Sequence, residues 1–157
     1  MKPYADTNFF TRYYLDTAQS RLVAGLVEQA ERRGAPALPV TWLHRVELCN
    51  AFQLLVFQGR GLGQKWVTPE QAAAALAVFR DDLERRVPVR TVALATADLE
   101  RQFEELSLRH TARHGFRTYD LLHVASALLL GCDTFWSFDP KATRLAGLEG
   151  LETLAAV

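Results

Sequence analysis

The sequence predicts an α/β domain with a mostly parallel sheet. Short apolar runs that are typical of strands alternate along the chain with longer segments of helical apolar spacing. No repeat and no linker rich in serine, proline or glycine divides the 157 residues, and 49% of them are hydrophobic. One domain spanning residues 1–157 is therefore expected, with enough apolar residues to bury a sizeable core.

Capping residues and glycines mark the helix ends in the first half of the chain. Asp6 and its two neighbours offer capping side chains between a strand and the first helix, and Gly34 is typical of the end of the second. Thr41 can cap a long third helix, which the glycines from Gly59 onward are expected to end. The predicted elements are strand 2–5, helix 9–15, helix 18–33, strand 37–40 and a helix from 41 to 55 or 57.

The second half carries equally clear signals. Thr68, Pro69 and Gln71 form the pattern of a capping box with proline at the first helical position. Thr118 is expected to cap an apolar helix that Gly131 ends. The predicted elements are helix 69–85, strand 87–93, helix 96–114, helix 119–130, strand 134–138, helix 141–145 and strand 151–157.

Composition limits the classes of protein to consider. The 18 basic residues balance the 18 acidic residues, so any anionic partner must meet a local basic patch. No apolar run reaches the roughly 20 residues that span a bilayer, and no secretory signal follows the N-terminal methionine. Cys49 and Cys132 match no metal motif and are expected to be buried thiols in a reducing compartment. The cytoplasm is the expected location.

Four acids could carry chemistry. Asp6 and Asp139 each end a predicted strand, and the carboxyl ends of parallel strands line the reactive edge of such a sheet. A helix cap at Asp6 and a turn at Asp139 would explain the same positions. Asp120 lies in the first turn of a helix, where the helix dipole favours an acid in any case. Glu47 lies in a helix that is apolar on most sides, so its carboxylate needs a cationic partner.

Converging carboxylates predict a particular kind of site. Their mutual repulsion would raise their pKa values unless a cation lies among them. Ligand sets made only of oxygen suit Mg²⁺ or Mn²⁺. Such an ion can lower the pKa of a bound water and stabilise the in-line displacement of a phosphodiester. The acids therefore indicate nuclease chemistry.

Four short motifs in this order resemble those of PIN-domain ribonucleases, and the chain is most similar to the VapC toxins of prokaryotic toxin–antitoxin pairs. The motifs are YADTN at residues 4–8, EL followed by NA within residues 47–51, YDLLHVASA at residues 119–127 and TFWSFD at residues 134–139. The resemblance covers essentially the whole chain. It implies a three-layer α/β/α fold, an RNA substrate, a homodimer and a VapB-like antitoxin as partner.

The same resemblance implies roles for individual residues. Its acidic metal site consists of Asp6, Glu47, Asp120 and Asp139, which would hold Mg²⁺ or Mn²⁺. Ser137 matches a hydroxyl two residues before the last acid and is expected to hold water or orient a ligand. Asn8 matches a polar position beside the first acid, and both are expected to lie just outside the ligand set.

A basic segment at residues 109–117 precedes Asp120. It contains Arg109, Arg113 and Arg117 together with two histidines and no acid. The arginines could hold RNA phosphates beside the acids, since the guanidinium fork suits phosphate. They could equally be solvated cations that complement a helix C-terminus. Both interpretations stay open at this stage.

Other features favour structural roles. His123, one turn after Asp120, is expected to pack in the core, and the pair His110 and His114 lacks a third zinc ligand. The glycine segment 59–63 is expected to be a loop from which Arg60 and Lys65 could reach substrate. Two other functions are compatible with the sequence: a PIN nuclease of RNA maturation without an antitoxin, and an inactive PIN-fold interaction module.

Overall fold

The computed structural model describes residues 1–62 and 67–154, and the side chains of residues 60–62 are not described. The chain divides into two compact units. Unit 1 contains residues 1–8 and those from 93 onward, and unit 2 contains residues 9–92. Within the described residues, no helix is both long enough and apolar enough to cross a membrane.

Unit 1 is built on a parallel sheet with strand order β1, β4, β5. Helices α5 and α7 pack on each other, and α8 packs on α7. The core contains Tyr4 and Phe135 stacked on neighbouring strands, with Leu106, Val124 and Leu145 from the helices. The elements of this unit are β1 (Pro3–Ala5), α5 (Thr96–Leu106), a π-helical turn (Ser107–Thr111), α6 (Ala112–His114), α7 (Thr118–Leu129), β4 (Thr134–Trp136), α8 (Pro140–Leu148) and β5 (Glu152–Thr153), and α1 (Thr7–Tyr14) begins here.

Unit 2 contains a parallel pair of strands and a helical layer. Strands β2 and β3 pair directly, and α3 packs against α4. Tyr14 of α1 donates a hydrogen bond from its hydroxyl to Asp82 of α4 at 3.0 Å and packs edge-on against Phe79. The remaining elements of this unit are α2 (Ser20–Arg32), β2 (Leu38–Val40), α3 (Trp42–Leu62), α4 (Pro69–Arg85) and β3 (Val89–Thr91).

Most predicted elements are confirmed, and the capping box at Thr68 and Gln71 forms as predicted. The predicted end of the third helix at residue 55 or 57 was wrong. Helix α3 continues through Gly59 and Gly61 to Leu62. A glycine destabilises a helix by only about 1 kcal/mol and does not have to end it. Gly63 and Lys65 lie outside the described residues, as do the last three residues of the predicted strand 151–157.

Two further predictions of local structure need correction. Arg117, not Thr118, is the N-cap of α7, since its backbone is extended and its N–H donates to the Asp120 carboxylate. The predicted burial of Cys49 was also wrong, and Val46 and Leu54 of the same helix are exposed as well. A helix that is apolar on most sides does not identify its buried face, which here contains Leu48, Phe52 and Val56.

Candidate active site

The pairing of β1 with β4 brings Asp6 and Ser137 to the same edge of the unit 1 sheet. Ala5 lies opposite Trp136 at the end of the parallel pair, and the backbone N–H of Asp6 donates to the Trp136 carbonyl at 3.0 Å. Asp6 and Ser137 are therefore the first residues beyond two adjacent strands. This is the carboxyl edge at which the sequence predicted that two acids would emerge.

Ser137 links the first acid to the last. Its hydroxyl donates to Asp6 Oδ2 at 2.6 Å and accepts the backbone N–H of Asp139 at 2.9 Å. Ser137 and Asp6 are both only 4% exposed. The hydroxyl thus fixes the Asp6 carboxylate and the turn that carries Asp139 with one atom.

Asp139 is the N-cap of α8. Its Oδ1 accepts the backbone N–H groups of Lys141 at 2.8 Å and Ala142 at 3.4 Å, which leaves Oδ2 directed away from the helix. The alternative that Asp139 has a local structural role is therefore correct for one oxygen. The second oxygen is available for another partner, so the structural and functional interpretations are compatible.

Asp120 occupies the third position of α7 and is buried. Its Oδ2 accepts the backbone N–H of Arg117 at 3.0 Å, which closes the first turn of the helix. A carboxylate here is also favoured by the positive end of the helix dipole. These local interactions hold a buried acid at the start of α7.

The guanidinium of Arg117 bridges Asp120 and Asp139. Its Nη2 donates to Asp120 Oδ1 at 3.0 Å and to Asp139 Oδ2 at 2.5 Å, while Nε donates to Asp120 Oδ2 at 3.1 Å. The hydrogen bonds that Arg117 donates to Asp120 and then to Asp139 raise its pKa. Burial opposes ionisation of Asp139, but the bonds from Arg117 and from the α8 backbone outweigh it and lower the pKa of Asp139. Arg117 and Asp139 are therefore both charged at neutral pH.

Sequence reasoning missed this contact of Arg117. The sequence suggested a phosphate ligand or a solvated cation, whereas the structure pairs Arg117 with two predicted site acids. One signal was available, since an arginine three residues before an acid at a helix start allows a local ion pair. The contact with Asp139 had no local signal, because 22 positions separate the two residues.

The other two arginines of the basic segment differ from each other. Arg109 lies in the π-helical turn and donates to both carboxylate oxygens of Glu149 at 2.9 Å. His110 also contacts Glu149, through Nε2 at 2.5 Å. Arg113 is exposed, and the part of the chain that the structure describes gives it no hydrogen bond or ion pair. Contact of these residues with RNA stays a prediction.

His123 has a structural environment, as predicted. It is buried, and its Nδ1 lies 2.9 Å from the Tyr4 hydroxyl. Its Nε2 lies 3.4 Å from Thr7 Oγ1, next to Asp6. The imidazole therefore joins α7 to the end of β1 and the start of α1, and it helps to fix the backbone that carries Asp6.

The remaining two predicted site residues lie on α1 and α3. Asn8 is half-buried in the first turn of α1, and its proposed role beside Asp6 stays a prediction. Glu47 is half-buried on α3 and belongs to unit 2. Its membership of the metal site likewise stays a prediction.

The donor set of unit 1 fits a hard cation in its chemistry. Asp6, Asp120 and Asp139 offer only oxygen ligands, the type that Mg²⁺ and Mn²⁺ prefer. Asp120 and Asp139 already share one cation, the guanidinium of Arg117. Among the described residues, no three His, Cys, Asp or Glu side chains are grouped closely enough to hold a metal ion. The carboxylates thus attract positive charge without forming a completed metal centre.

Unit 2 has an exposed apolar surface of a different kind. A groove of about 600 Å³ between α3 and α4 is lined by Val46, Cys49, Leu76 and Phe79, among others. Trp42, Val46 and Phe57 are all more than half exposed. Their spacing places these three residues within about 60° of one another around α3. Exposed apolar surfaces of this kind are typical of protein interaction sites.

A family model of the PIN domain matches residues 4–148, almost the whole chain. The chain belongs to the PIN-domain family. The matched region includes all four predicted acids and Ser137. The predicted fold class, a PIN-like α/β fold with parallel strands, is confirmed.

Solved structures with the PIN fold extend the comparison. VapBC2 from Rickettsia felis, bound to a DNA fragment from its promoter, aligns with a TM-score of 0.67 at 14% identity over 98% of both chains. VapC20 of Mycobacterium tuberculosis, a toxin that cleaves the sarcin–ricin loop, has a TM-score of 0.58 at 20% identity, over 91% of this PIN domain and 94% of its own chain. FitAcB from Neisseria gonorrhoeae has a TM-score of 0.57 at 14% identity, over 98% and 96% respectively. A search of curated proteins finds no significant match.

Proposed function

We propose that this PIN-domain protein is a VapC-type toxin, an endoribonuclease that depends on Mg²⁺ or Mn²⁺. The observation that carries the proposal is the position of Asp6, Asp120 and Asp139 in unit 1. Asp6 and Asp139 are linked through one serine hydroxyl, and Asp120 and Asp139 through one guanidinium. Acids that share a cation in this way, with Asp120 buried and Asp139 half-buried, are typical of a site built to bind positive charge.

The acids would act as the metal ligands. Asp6, Asp120 and Asp139 would contribute carboxylate oxygens, and the resemblance of its motif adds Glu47 as a fourth ligand. A divalent ion bound there would polarise the scissile phosphodiester of the RNA and stabilise the charge that develops during hydrolysis. Ser137 would keep the Asp6 carboxylate in one orientation, and Asn8 would lie just outside the ligand set. Arg109, Arg113 and Arg117 are the proposed contacts to RNA phosphates.

The relatives support the toxin–antitoxin context. VapC20 is a toxin that cleaves the sarcin–ricin loop, and VapBC2 was solved bound to a DNA fragment from its promoter. A VapB-like antitoxin is the partner that we propose, together with a homodimer and a cytoplasmic location. The exposed apolar face of α3 supports an interaction of this type, since it offers a surface for another protein.

The decisive experiment is RNA cleavage by purified protein freed of any partner. Total RNA is incubated with the wild type in Mn²⁺, Mg²⁺ or EDTA, and new ends are mapped by sequencing. Asp6→Asn removes a negative charge without opening a cavity and is expected to lower cleavage at least a hundredfold. Asp16→Asn is the matched control, because Asp16 is exposed, and it should cleave at the wild-type rate. Undiminished cleavage by Asp6→Asn or cleavage in EDTA would contradict the proposal.

One observation favours a second candidate function. Arg117 neutralises Asp120 and Asp139, as a structural ion pair would, and this arrangement suits an inactive PIN-fold interaction module. Titration calorimetry with Mn²⁺ separates the two functions. An inactive module should bind no Mn²⁺ and cleave no RNA in any metal. The nuclease should bind Mn²⁺ and cleave RNA.

A further inference from the structure

We infer that Arg117 is a built-in counterion of the site, and that Asp120 and Asp139 would hold a divalent cation only once the guanidinium has left them. The inference rests on the proposed metal-dependent function and concerns how that site is regulated. It assigns Arg117 a role opposite to that of a supporting residue. Arg117 would weaken metal binding, and its removal would strengthen it.

One nitrogen of the Arg117 guanidinium lies between Asp120 and Asp139. Nη2 of Arg117 lies 3.0 Å from Asp120 Oδ1 and 2.5 Å from Asp139 Oδ2. An Mg²⁺ ion held by the same two carboxylates would use these oxygens as ligands. The guanidinium and the metal ion would therefore compete for the same oxygens, so that binding of one opposes binding of the other.

The two oxygens of each carboxylate differ in their hydrogen-bond donors. In the part of the chain that the structure describes, Asp120 Oδ1 and Asp139 Oδ2 accept hydrogen bonds from Arg117 alone. The other oxygen of each carboxylate is capped by backbone N–H groups at the start of α7 or α8. Departure of the guanidinium would thus free one oxygen on each acid while both helix caps remain in place.

The side chain of Arg117 has access to solvent. The Arg117 side chain is 58% exposed, whereas that of Asp120 is only 7% exposed. Arg117 precedes α7 with extended backbone, and its helix-capping contact uses the backbone N–H. The side chain can therefore turn into solvent without unwinding α7.

Arg117 is expected to lower the affinity of the site for a metal ion. A metal ion must replace three charge-assisted hydrogen bonds of Arg117, and this competition subtracts from its affinity. Removing the side chain also leaves two acids without their shared cation, which increases their attraction for another one. Arg117→Ala should therefore lower the Mn²⁺ dissociation constant by about tenfold.

Titration calorimetry with Mn²⁺ alone tests the inference. The variants are wild type, Arg117→Ala and Arg144→Ala, at neutral pH. Arg144→Ala removes the same charge from an exposed arginine of α8 that bonds neither acid, and its affinity should stay within about twofold of wild type. Tighter binding by Arg117→Ala alone would support the inference.

A second measurement needs no substitution. In ¹⁵N-labelled wild type, the Nε–H resonance of Arg117 should move on addition of Mg²⁺ toward the position of a solvated arginine. Equal Mn²⁺ affinity of wild type and Arg117→Ala, or an Nε–H resonance that Mg²⁺ leaves in place while it binds, would overturn the inference and leave the proposed function standing. Absence of Mn²⁺ binding by both proteins would overturn the metal-dependent function as well.

Discussion

The hydroxyl of Ser137 offers the sharpest test of how the unit 1 site is held together. It is buried, donates to Asp6 Oδ2 at 2.6 Å and accepts the N–H of Asp139 at 2.9 Å. Ser137→Ala removes both bonds with the loss of a single oxygen atom. The buried Asp6 carboxylate loses one donor, and the Asp139 N–H loses its acceptor.

The magnitude follows from these two bonds. A hydrogen bond to a charged group contributes about 1.5–3 kcal/mol, and one between neutral groups contributes about 1 kcal/mol. The free energy of unfolding should therefore fall by about 2–4 kcal/mol in Ser137→Ala, with water entering the site accounting for the lower end. A loss of this size is a large fraction of the about 5–15 kcal/mol that stabilises a typical domain.

Ser126→Ala is the matched control. Ser126 is equally buried, but within the described residues its hydroxyl donates only to the Leu122 carbonyl one turn earlier in α7. Alanine has a higher helix propensity than serine, so this variant should stay within about 0.5 kcal/mol of wild type. Both variants and wild type are compared by urea unfolding monitored by circular dichroism.

The two variants should differ in stability, and only Ser137→Ala should be clearly less stable than wild type. Equal stability of Ser137→Ala and Ser126→Ala would refute this prediction, because burial and residue type are the same and only the partners differ. Ser137→Thr retains the hydroxyl and should recover part of the lost stability. RNA cleavage should fall with Ser137→Ala even at temperatures where the variant is folded, since Asp6 loses a fixed orientation.

Two further predictions concern the partner surface and the dependence of stability on pH. Phe57→Asp changes a side chain that is 73% exposed, so the free energy of unfolding should change by no more than about 0.5 kcal/mol. Co-purification with the proposed VapB-like antitoxin should be lost, and undiminished co-purification would exclude this face of α3 from the interface. Asp133 accepts hydrogen bonds from the Thr134 hydroxyl at 2.6 Å and then from the Lys2 N–H at 2.7 Å, which lower its pKa from the usual 3.8. Because the pKa of Asp133 is lower in the folded state than in the unfolded state, its carboxylate stabilises the folded state above the unfolded pKa. This stabilisation is lost as the pH falls through the folded pKa, so Asp133→Asn should reduce the loss of stability below about pH 4. Urea unfolding at neutral pH and at about pH 3 checks this, and an unchanged difference between the two would contradict it.

Local signals were sufficient to predict much of the fold. Capping residues, glycines and apolar spacing identified the elements and the α/β class, because these signals act through residues within one or two turns of one another. They failed on α3, where apolar residues surround the helix. Cys49 was expected to be buried and is exposed, while Phe52 is buried, since only packing against other elements selects the buried face.

The candidate site could be predicted in part for the same reason. The positions of Asp6 and Asp139 after predicted strands indicated a shared sheet edge, and the pairing of β1 with β4 confirms it. Asp120 was identified by its helix start and by its motif. Nothing local indicated that one serine would serve two of these acids or that one arginine would bridge two of them.

The sequence by itself determined the class of fold, the order of the elements and the identity of the acids, because these follow from short-range propensities and from residue types. The tertiary structure decided which groups neutralise those acids. Ser137 and Asp6 are 131 positions apart, and Arg117 and Asp139 are 22 apart. Contacts over such separations exist only once the strand register and the helix packing are established, so the charge balance of the site is a property of the folded chain.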